Sequence, residues 1–256
     1  MRYVRFQVGD KISYGWVETK AGTKVVTELA GTGLEQFTET GNSYPLTEVR
    51  LLAPVQPSKV VCVGLNYQDH AAELGLAIPT EPLFFLKPPS CIIGPGETVQ
   101  MPSVSADVQY EAELAIVISR VAKEVSPEDA AKYIWGYTCF NDVTARDLQA
   151  RDGQWTRAKG FDTFGPLGPW IESEFDPGDA EVSCYLNEQR VQHSRTSEFI
   201  FTVPEILAQV TAVMTLYPGD VISTGTPAGV GPVADGDVVS VEISGIGRLT
   251  NTCRRR

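Results

Sequence analysis

Three acidic residues lie at the ends of two apolar stretches of the sequence, with a spacing typical of a metal site. Glu111 and Glu113 stand two positions apart at the start of an apolar strand predicted to run to Ser119. Because side chains alternate along a strand, both carboxylates share one face, about 7 Å apart. Asp142 follows a second apolar strand and precedes a helical stretch predicted over residues 143–150. Carboxylates held together beside a core repel each other, so one takes up a proton or a cation lies between them.

Three carboxylates without a nearby cysteine or histidine favour a hard cation. Oxygen ligands suit Mg²⁺ first, and Mn²⁺ or Ca²⁺ next. Three protein ligands leave about three octahedral positions open, which suits catalysis better than a structural role. The residues also allow simpler interpretations: a solvent-facing strand end for the two glutamates, and a helix N-cap for Asp142.

One of the two histidines has a carboxylate at helical spacing. If residues 67–75 are helical, Glu73 lies beside His70 on the same helix face. A neighbouring carboxylate raises the basicity of an imidazole and orients it, as a general base requires. The alternative is a surface helix with an incidental ion pair. His193 has no such partner and is interpreted as a surface residue.

Residues after Asp142 could hold an anionic substrate. Arg146 and Gln149 follow it by four and seven positions, so both fit one helix face. Lys159 lies among aromatic and glycine residues and could present a cation to an anion, although most lysines are simply solvated. The glycine-rich segment Gly225–Gly231 lacks the Lys-Ser/Thr pair of a phosphate-binding loop, so nucleotide binding is not expected.

The elements that must position these residues are mostly short strands, with few helices. The clearest strands are predicted at Glu181–Leu186 and Val238–Ile243, and helices are predicted to start at Ser126 and at Thr202. This pattern favours a β-rich α+β architecture over a regular βαβ repeat. A proline-containing linker at residues 53–58 separates a small N-terminal β unit, residues 1–55, from a catalytic domain, residues 56–256.

The overall composition excludes several classes of partner. The 256 residues include 21 Lys and Arg against 32 Asp and Glu, a formal net charge of −11. Nucleic acids and anionic membranes need a basic surface, so neither is an expected partner. No apolar stretch is long enough to span a bilayer or to form a secretory signal. The five cysteines are scattered, which predicts neither zinc nor disulfides, and a cytoplasmic location is expected.

Together these motifs resemble the fumarylacetoacetate hydrolase superfamily, in order, from about Lys59 to Asn251. The motifs that carry the resemblance are Asn66-Tyr67 with Asp69, His70 and Glu73; Phe84–Pro88; Glu111 with Glu113; Asp142 with Arg146 and Gln149; Lys159; and Gly219–Gly231. The chain looks most similar to the short members: acylpyruvate hydrolases, oxaloacetate decarboxylases and 2-hydroxyhepta-2,4-diene-1,7-dioate isomerases. The first 55 or so residues are not covered by the resemblance.

The resemblance implies a β-rich fold with a rolled mixed sheet and few helices, a homodimer, and a Mg²⁺ or Mn²⁺ site. It places the metal ligands at Glu111, Glu113 and Asp142, and substrate-binding groups at Arg146, Gln149 and Thr226. It places the catalytic groups at His70, Glu73 and Lys159, with the first two on a lid helix.

These observations predict a divalent-metal-dependent enzyme that acts on a small 2-oxo acid or dicarboxylate. The expected reaction is C–C hydrolysis of an acylpyruvate, decarboxylation of oxaloacetate, or both, through a metal-stabilised enolate. One alternative is isomerisation or decarboxylation of 2-hydroxyhepta-2,4-diene-1,7-dioate in aromatic catabolism. Others are a dicarboxylate-binding protein without turnover and a purely structural cation.

Overall fold

The computed structural model describes residues 1–31, 37–75 and 77–256, and this part of the chain is mostly extended. The strands of the first half are β1 Arg2–Val8, β2 Lys11–Lys20, β3 Thr23–Ala30, β4 Thr38–Pro45, β5 Arg50–Leu52, β6 Val60–Gly64, β7 Leu83–Lys87, β8 Ile92–Ile93, β9 Thr98–Met101, β10 Val108–Tyr110 and β11 Ala112–Ile118. Those of the second half are β12 Ile134–Asn141, β13 Thr144–Ala145, β14 Gly165–Glu172, β15 Glu181–Leu186, β16 Gln189–Arg195, β17 Val221–Ser223, β18 Gly231–Pro232, β19 Val238–Ile243 and β20 Gly247–Arg255.

Helices in the described residues are few and short. The α-helices are α1 Gln68–Leu74, α2 Arg146–Asp152, α3 Thr156–Lys159 and α4 Val203–Val213. Single 3₁₀ segments cover Leu46–Glu48, Pro89–Cys91, Pro127–Tyr133 and Thr196–Glu198. No helix in residues 1–31, 37–75 and 77–256 has the length and apolar character needed to cross a membrane.

The strands form one large mixed sheet and two smaller sheets. The large sheet has the order β4-β3-β2-β1-β14-β12-β11-β17-β6-β7, with β5 beside β1 and β8 beside β14. A five-stranded sheet has the order β16-β15-β19-β20-β9, and a three-stranded sheet has the order β13-β10-β18. The predicted β-rich fold of the fumarylacetoacetate hydrolase type with mixed sheets is thereby confirmed.

The N-terminal strands extend the large sheet rather than forming a sheet of their own. Strand β1 pairs with β14, with Arg2 opposite Glu172 and Tyr3 opposite Ile171. The terminal ammonium group also donates to Glu172 Oε1 at 2.8 Å. The segment before residue 55 is therefore part of the same large sheet as β11 and β12, the strands next to the predicted metal ligands.

Strand β11 lies at the centre of the core and is buried along its whole length. Leu114 and Ile116 pack into a cluster shared with the five-stranded sheet, whereas Ala115 and Val117 pack into a cluster on the opposite face. A strand that is covered on both faces has a continuous apolar sequence, as observed here. Glu111 and Glu113, at the N-terminal end of this strand, are therefore placed inside the protein.

Two predicted helices differ from the structure, one in where it starts and the other in its type. The helical stretch predicted over residues 143–150 begins only at Arg146, because Thr144 and Ala145 pair with β10 as a short strand. Asp142 is therefore not the N-cap of this helix. The helix predicted from Ser126 is a 3₁₀ segment, while α4 has the predicted capping box between Thr202 and Glu205.

Candidate metal centre and active site

Pairing of β11 with β12 brings the three predicted metal ligands together. Ala112 lies opposite Asn141, so Glu111, Glu113 and Asp142 flank the same end of the two strands. The Asp142 backbone N–H donates to the Glu111 carbonyl oxygen at 2.9 Å, and the Glu111 N–H donates to Asn141 Oδ1 at 3.0 Å. All three carboxylates are buried and offer oxygen atoms within 4.8 Å of one another. The interpretation of the glutamates as a solvent-facing strand end is therefore wrong.

Glu113 is 1% exposed and has no cationic hydrogen-bond partner among the described residues. Its Oε2 accepts hydrogen bonds from the Ser223 hydroxyl and from the Gly225 backbone N–H. A side chain at Gly225 would place its Cβ 2.8 Å from the Cβ of Asn66, so only glycine brings this N–H so close. Burial, followed by the charges of Asp142 and Glu111, raises the pKa of Glu113 well above its ordinary value. Of the three carboxyl groups, Glu113 is therefore the one whose protonated form is favoured when no cation is bound.

Glu111 and Asp142 are instead neutralised by basic side chains, of which Lys159 and Lys87 are buried and Arg146 is half-buried. Lys159 Nζ donates to Glu111 Oε2 and to Asp142 Oδ2, both at 2.7 Å. Arg146 Nη2 donates to Glu111 Oε1 at 2.5 Å, and Lys87 Nζ donates to Asp142 Oδ1 at 2.5 Å. Burial alone would raise the pKa of Glu111, but the charges of Lys159 and Arg146 lower it to about 2.

Lys159 is held in its charged form by the same contacts. Burial would lower the pKa of its ammonium group, but the carboxylates of Asp142 and Glu111 outweigh this effect and raise it. The ammonium group of Lys159 is therefore stabilised as a positive charge between the two carboxylates.

The donor set fits a divalent ion such as Mg²⁺ or Mn²⁺. It consists of carboxylate oxygens only, which hard cations prefer. Both hydrogen bonds to Glu113 from the described residues end on Oε2, so Oε1 is the atom that this side chain offers to a cation. Glu111, Glu113 and Asp142 are thus the residues that would hold the ion.

Helix α1 presents the histidine and its glutamate as a bonded pair. His70 Nδ1 lies 2.9 Å from Glu73 Oε2, at the predicted spacing of three residues. Glu73 also accepts the Gly229 backbone N–H, at 3.1 and 3.3 Å for its two oxygens. With the Nδ1 proton donated to Glu73, His70 Nε2 is the acceptor nitrogen. Exposed His193 instead lies 3.2 Å from the Ser183 hydroxyl, as a surface residue of β16.

A single cavity of about 640 Å³ brings every predicted site residue together. The predicted residues that line it are His70, Glu73, Glu111, Glu113, Asp142, Arg146, Gln149, Lys159 and Thr226. The roles that the resemblance implies for these nine residues remain predictions, but their convergence from distant segments is a property of the structure.

The predicted substrate-binding residues are already engaged by protein groups. Arg146 donates to Gln149 Oε1 at 2.5 Å and to Gln109 Oε1 at 2.9 Å, which confirms that Arg146 and Gln149 share a helix face. The Thr226 hydroxyl donates to the Ala112 carbonyl oxygen at 3.0 Å and accepts from Gln192 at 2.9 Å. To donate to a substrate oxygen, Thr226 must therefore give up its bond to Ala112.

Sequence reasoning assigned no role to several residues of the site. Lys87 is 1% exposed and neutralises Asp142, although 55 positions separate them. Its signal was a lysine ending the apolar strand β7. Ser223 and Gln109 had no comparable signal, because a serine after a strand and a glutamine within one are common at surfaces.

Comparison with known proteins gives the site its context. A family model described as fumarylacetoacetate (FAA) hydrolase C-terminal matches residues 59–254. The chain belongs to the fumarylacetoacetate hydrolase family. This finding confirms the resemblance inferred from the motifs. A second model, described as Rv2993c-like, N-terminal, matches residues 1–54.

Three relatives of the chain are named as enzymes with different reactions. A solved structure titled 5-carboxymethyl-2-hydroxymuconate delta-isomerase from Mycobacterium smegmatis is 47% identical, with a TM-score of 0.94 and full coverage of both chains. Oxaloacetate tautomerase Fahd2a, mitochondrial, of Rattus norvegicus is 42% identical over 81% of this chain and 70% of its own. Maleylpyruvate hydrolase from Sphingobium sp. SYK-6, solved with manganese(II) and pyruvate, is 29% identical, with a TM-score of 0.82 and coverage of 100% and 99%.

The protonated Glu113 leads to a prediction about the pH dependence of metal binding. Because the raised pKa of Glu113 belongs to the protein without a cation, binding of Mg²⁺ there must displace a proton. From pH 4.5 up to the raised pKa, we expect the apparent Mg²⁺ affinity to increase with pH, by about tenfold per unit for one displaced proton. Calorimetric titrations in two buffers of different ionisation enthalpy measure the protons released. An affinity independent of pH, with no proton released, would contradict a protonated Glu113.

Proposed function

We propose that this protein is a divalent-metal-dependent enzyme of 2-oxo acids, with Glu111, Glu113 and Asp142 as its metal ligands and Mg²⁺ as the preferred ion. One observation carries the proposal: the three buried carboxylates offer oxygens within 4.8 Å of one another, in the cavity that also contains the His70–Glu73 pair. A purely structural cation would not need a general base in the same cavity.

The charged end of the cavity would bind and activate the 2-oxo acid. A divalent ion bound by the carboxylates would polarise the 2-oxo group and make the neighbouring C3–H bond more acidic. Arg146 and Gln149, fixed to each other by a hydrogen bond, would orient the substrate carboxylate. The buried charge of Lys159 would stabilise negative charge that develops on the substrate oxygen.

For an acylpyruvate, the histidine pair would direct the reaction to hydrolysis. His70 Nε2 takes a proton from a water molecule, whose oxygen attacks the distal carbonyl carbon. The bond between this carbon and C3 then breaks, and the proton returns to C3, giving pyruvate and a carboxylic acid. Glu73 holds the imidazole in orientation and stabilises its charged form. Oxaloacetate needs no base, because CO₂ leaves directly from the carbon next to the activated carbonyl.

A second candidate is proton transfer without cleavage of a C–C bond, and the names of two relatives support it. The structure at 47% identity is titled an isomerase, and the rat relative at 42% is named an oxaloacetate tautomerase. In this case His70 would move a proton between two positions of one substrate. Such a substrate is an oxaloacetate-type enol or a 2-hydroxyhepta-2,4-diene-1,7-dioate.

A protein that only binds dicarboxylates is a weaker candidate. Binding alone requires no imidazole whose Nδ1 is fixed by a glutamate and whose other nitrogen is an acceptor in the same cavity.

An activity panel tests the proposed function. The purified protein, with Mg²⁺ or with excess EDTA, is assayed against acetylpyruvate, oxaloacetate and the dienoate by their ultraviolet absorbance. We expect Mg²⁺-dependent turnover of at least one substrate and its loss in EDTA. No turnover of any of the three, or turnover that persists in EDTA, would contradict the proposal.

A further inference from the structure

The cavity has an apolar wall that the chemistry proposed above does not use. Leu65, Phe85, Trp155 and Val230 line it together with the charged residues. The Phe85 and Trp155 rings meet edge to face, with centroids 5.2 Å apart. Lys159 Nζ lies 4.9 Å from the centroid of the Phe85 ring. The aromatic pair therefore lies directly beside the charged groups of the cavity.

The backbone just before helix α1 has two features that fit this apolar wall. A Cβ atom at Gly64 would lie 3.0 Å from Trp155 Cζ3, so the glycine allows the indole ring to approach the strand. Leu65 has a φ of +56°, an unfavourable conformation for a leucine. Asn66 holds it there: its side chain bonds to Phe201 and Thr224. Backbone strain that the surroundings maintain at a cavity is a common feature of functional sites.

The charges of the cavity disfavour a second carboxylate on the substrate. Among the described residues that line it, the permanent cations are Arg146 and Lys159, and both are bonded to Glu111. The ring of His70 is paired with Glu73, which is itself negative. A carboxylate at the far end of a substrate would therefore meet apolar groups and an acid, without a free cation to replace its water.

We infer that this site selects 2-oxo acids with an uncharged apolar or aromatic tail, bound against Phe85 and Trp155, over dicarboxylates of similar length. This inference rests on the proposed function and narrows it. It favours acylpyruvates with an alkyl or aryl acyl group over oxaloacetate and the heptadienedioate.

Binding of unreactive 2-oxo acids to the Mg²⁺-loaded protein tests the inference independently of turnover. Isothermal titration calorimetry compares pyruvate with two six-carbon ligands: 2-oxohexanoate, which has an apolar tail, and 2-oxoadipate, which has a terminal carboxylate. We expect 2-oxohexanoate to bind at least about tenfold more tightly than either. Compared with pyruvate, it buries additional methylene groups; compared with 2-oxoadipate, it has no terminal carboxylate that must lose its water without a cation to replace it. Equal or tighter binding of 2-oxoadipate would overturn the inference and leave the proposed function intact. If none of the three binds, the proposed function fails, and the inference fails with it.

Substitution of Trp155 tests where the tail binds. In Trp155→Ala, the advantage of 2-oxohexanoate over pyruvate should fall to less than about threefold, because the aromatic contact is lost. Tyr217→Ala is the matched control, since this aromatic residue is 50% exposed and lies outside the cavity. An unchanged ratio in Trp155→Ala, or the same loss in the control, would overturn the placement of the tail. Trp155→Phe, which keeps an aromatic ring, should retain an intermediate ratio and serves if the alanine variant does not fold.

Discussion

Replacing Glu113 with glutamine is expected to abolish Mg²⁺ binding and every activity of the protein. Glutamine has the same size but cannot supply the negative oxygen that a hard cation requires. We expect at least about a hundredfold loss of Mg²⁺ affinity and about a thousandfold or greater loss of kcat/KM with any substrate. Calorimetry measures the first loss, and the Mg²⁺-dependent assay measures the second.

The same substitution should leave the metal-free fold almost unchanged. The pKa of Glu113 without a cation is raised well above its ordinary value, so a neutral amide resembles the form of the side chain that burial favours. We expect the free energy of unfolding without metal to change by about 1 kcal/mol or less. Glu128→Gln, at an exposed position on a 3₁₀ segment, is the matched control and should retain metal binding and activity. Turnover by Glu113→Gln in the presence of chelator would contradict the assigned site.

Replacing His70 with alanine should separate two reactions that share the same metal site. Hydrolysis of acetylpyruvate needs a base to activate water, so its kcat should fall by about 10²- to 10⁴-fold. Decarboxylation of oxaloacetate needs no proton acceptor at this position, so most of that activity should remain. The ratio of kcat for hydrolysis to kcat for decarboxylation, measured on one preparation, shows directly whether only hydrolysis depends on His70.

Two further variants make the histidine experiment specific. Glu73→Gln keeps a hydrogen-bonding partner for His70 but removes the negative charge, so the expected loss of hydrolysis is smaller and the decarboxylase activity is again retained. His193→Ala, on the exposed face of β16, should change neither reaction. Equal loss of hydrolysis and decarboxylation in His70→Ala would show that the histidine is not a base for water.

Local patterns in the sequence were sufficient to predict the acidic cluster. Two glutamates at the start of one apolar strand and an aspartate after another are positions that strand pairing can join at one end. The pairing of β11 with β12, with Ala112 opposite Asn141, joins them in this way. The His70–Glu73 pair could also be predicted from the sequence, because three-residue spacing on a helix is a local property.

Contacts that depend on distant segments could not be predicted in this way. Lys87 contacts Asp142 from strand β7, and Ser223 contacts Glu113 from 110 positions away in the sequence. No pattern of local spacing predicts either contact. The helix expected over residues 143–150 starts late for a similar reason. Thr144 and Ala145 pair with β10 as a short strand, and this tertiary contact overrides the local helical preference.

The most direct test of the metal site is a crystal structure of the Mn²⁺-soaked protein with anomalous scattering measured at the manganese edge. The proposal predicts one strong anomalous peak about 2 Å from carboxylate oxygens of Glu111, Glu113 and Asp142. A peak at another position, or no peak at saturating Mn²⁺, would contradict it.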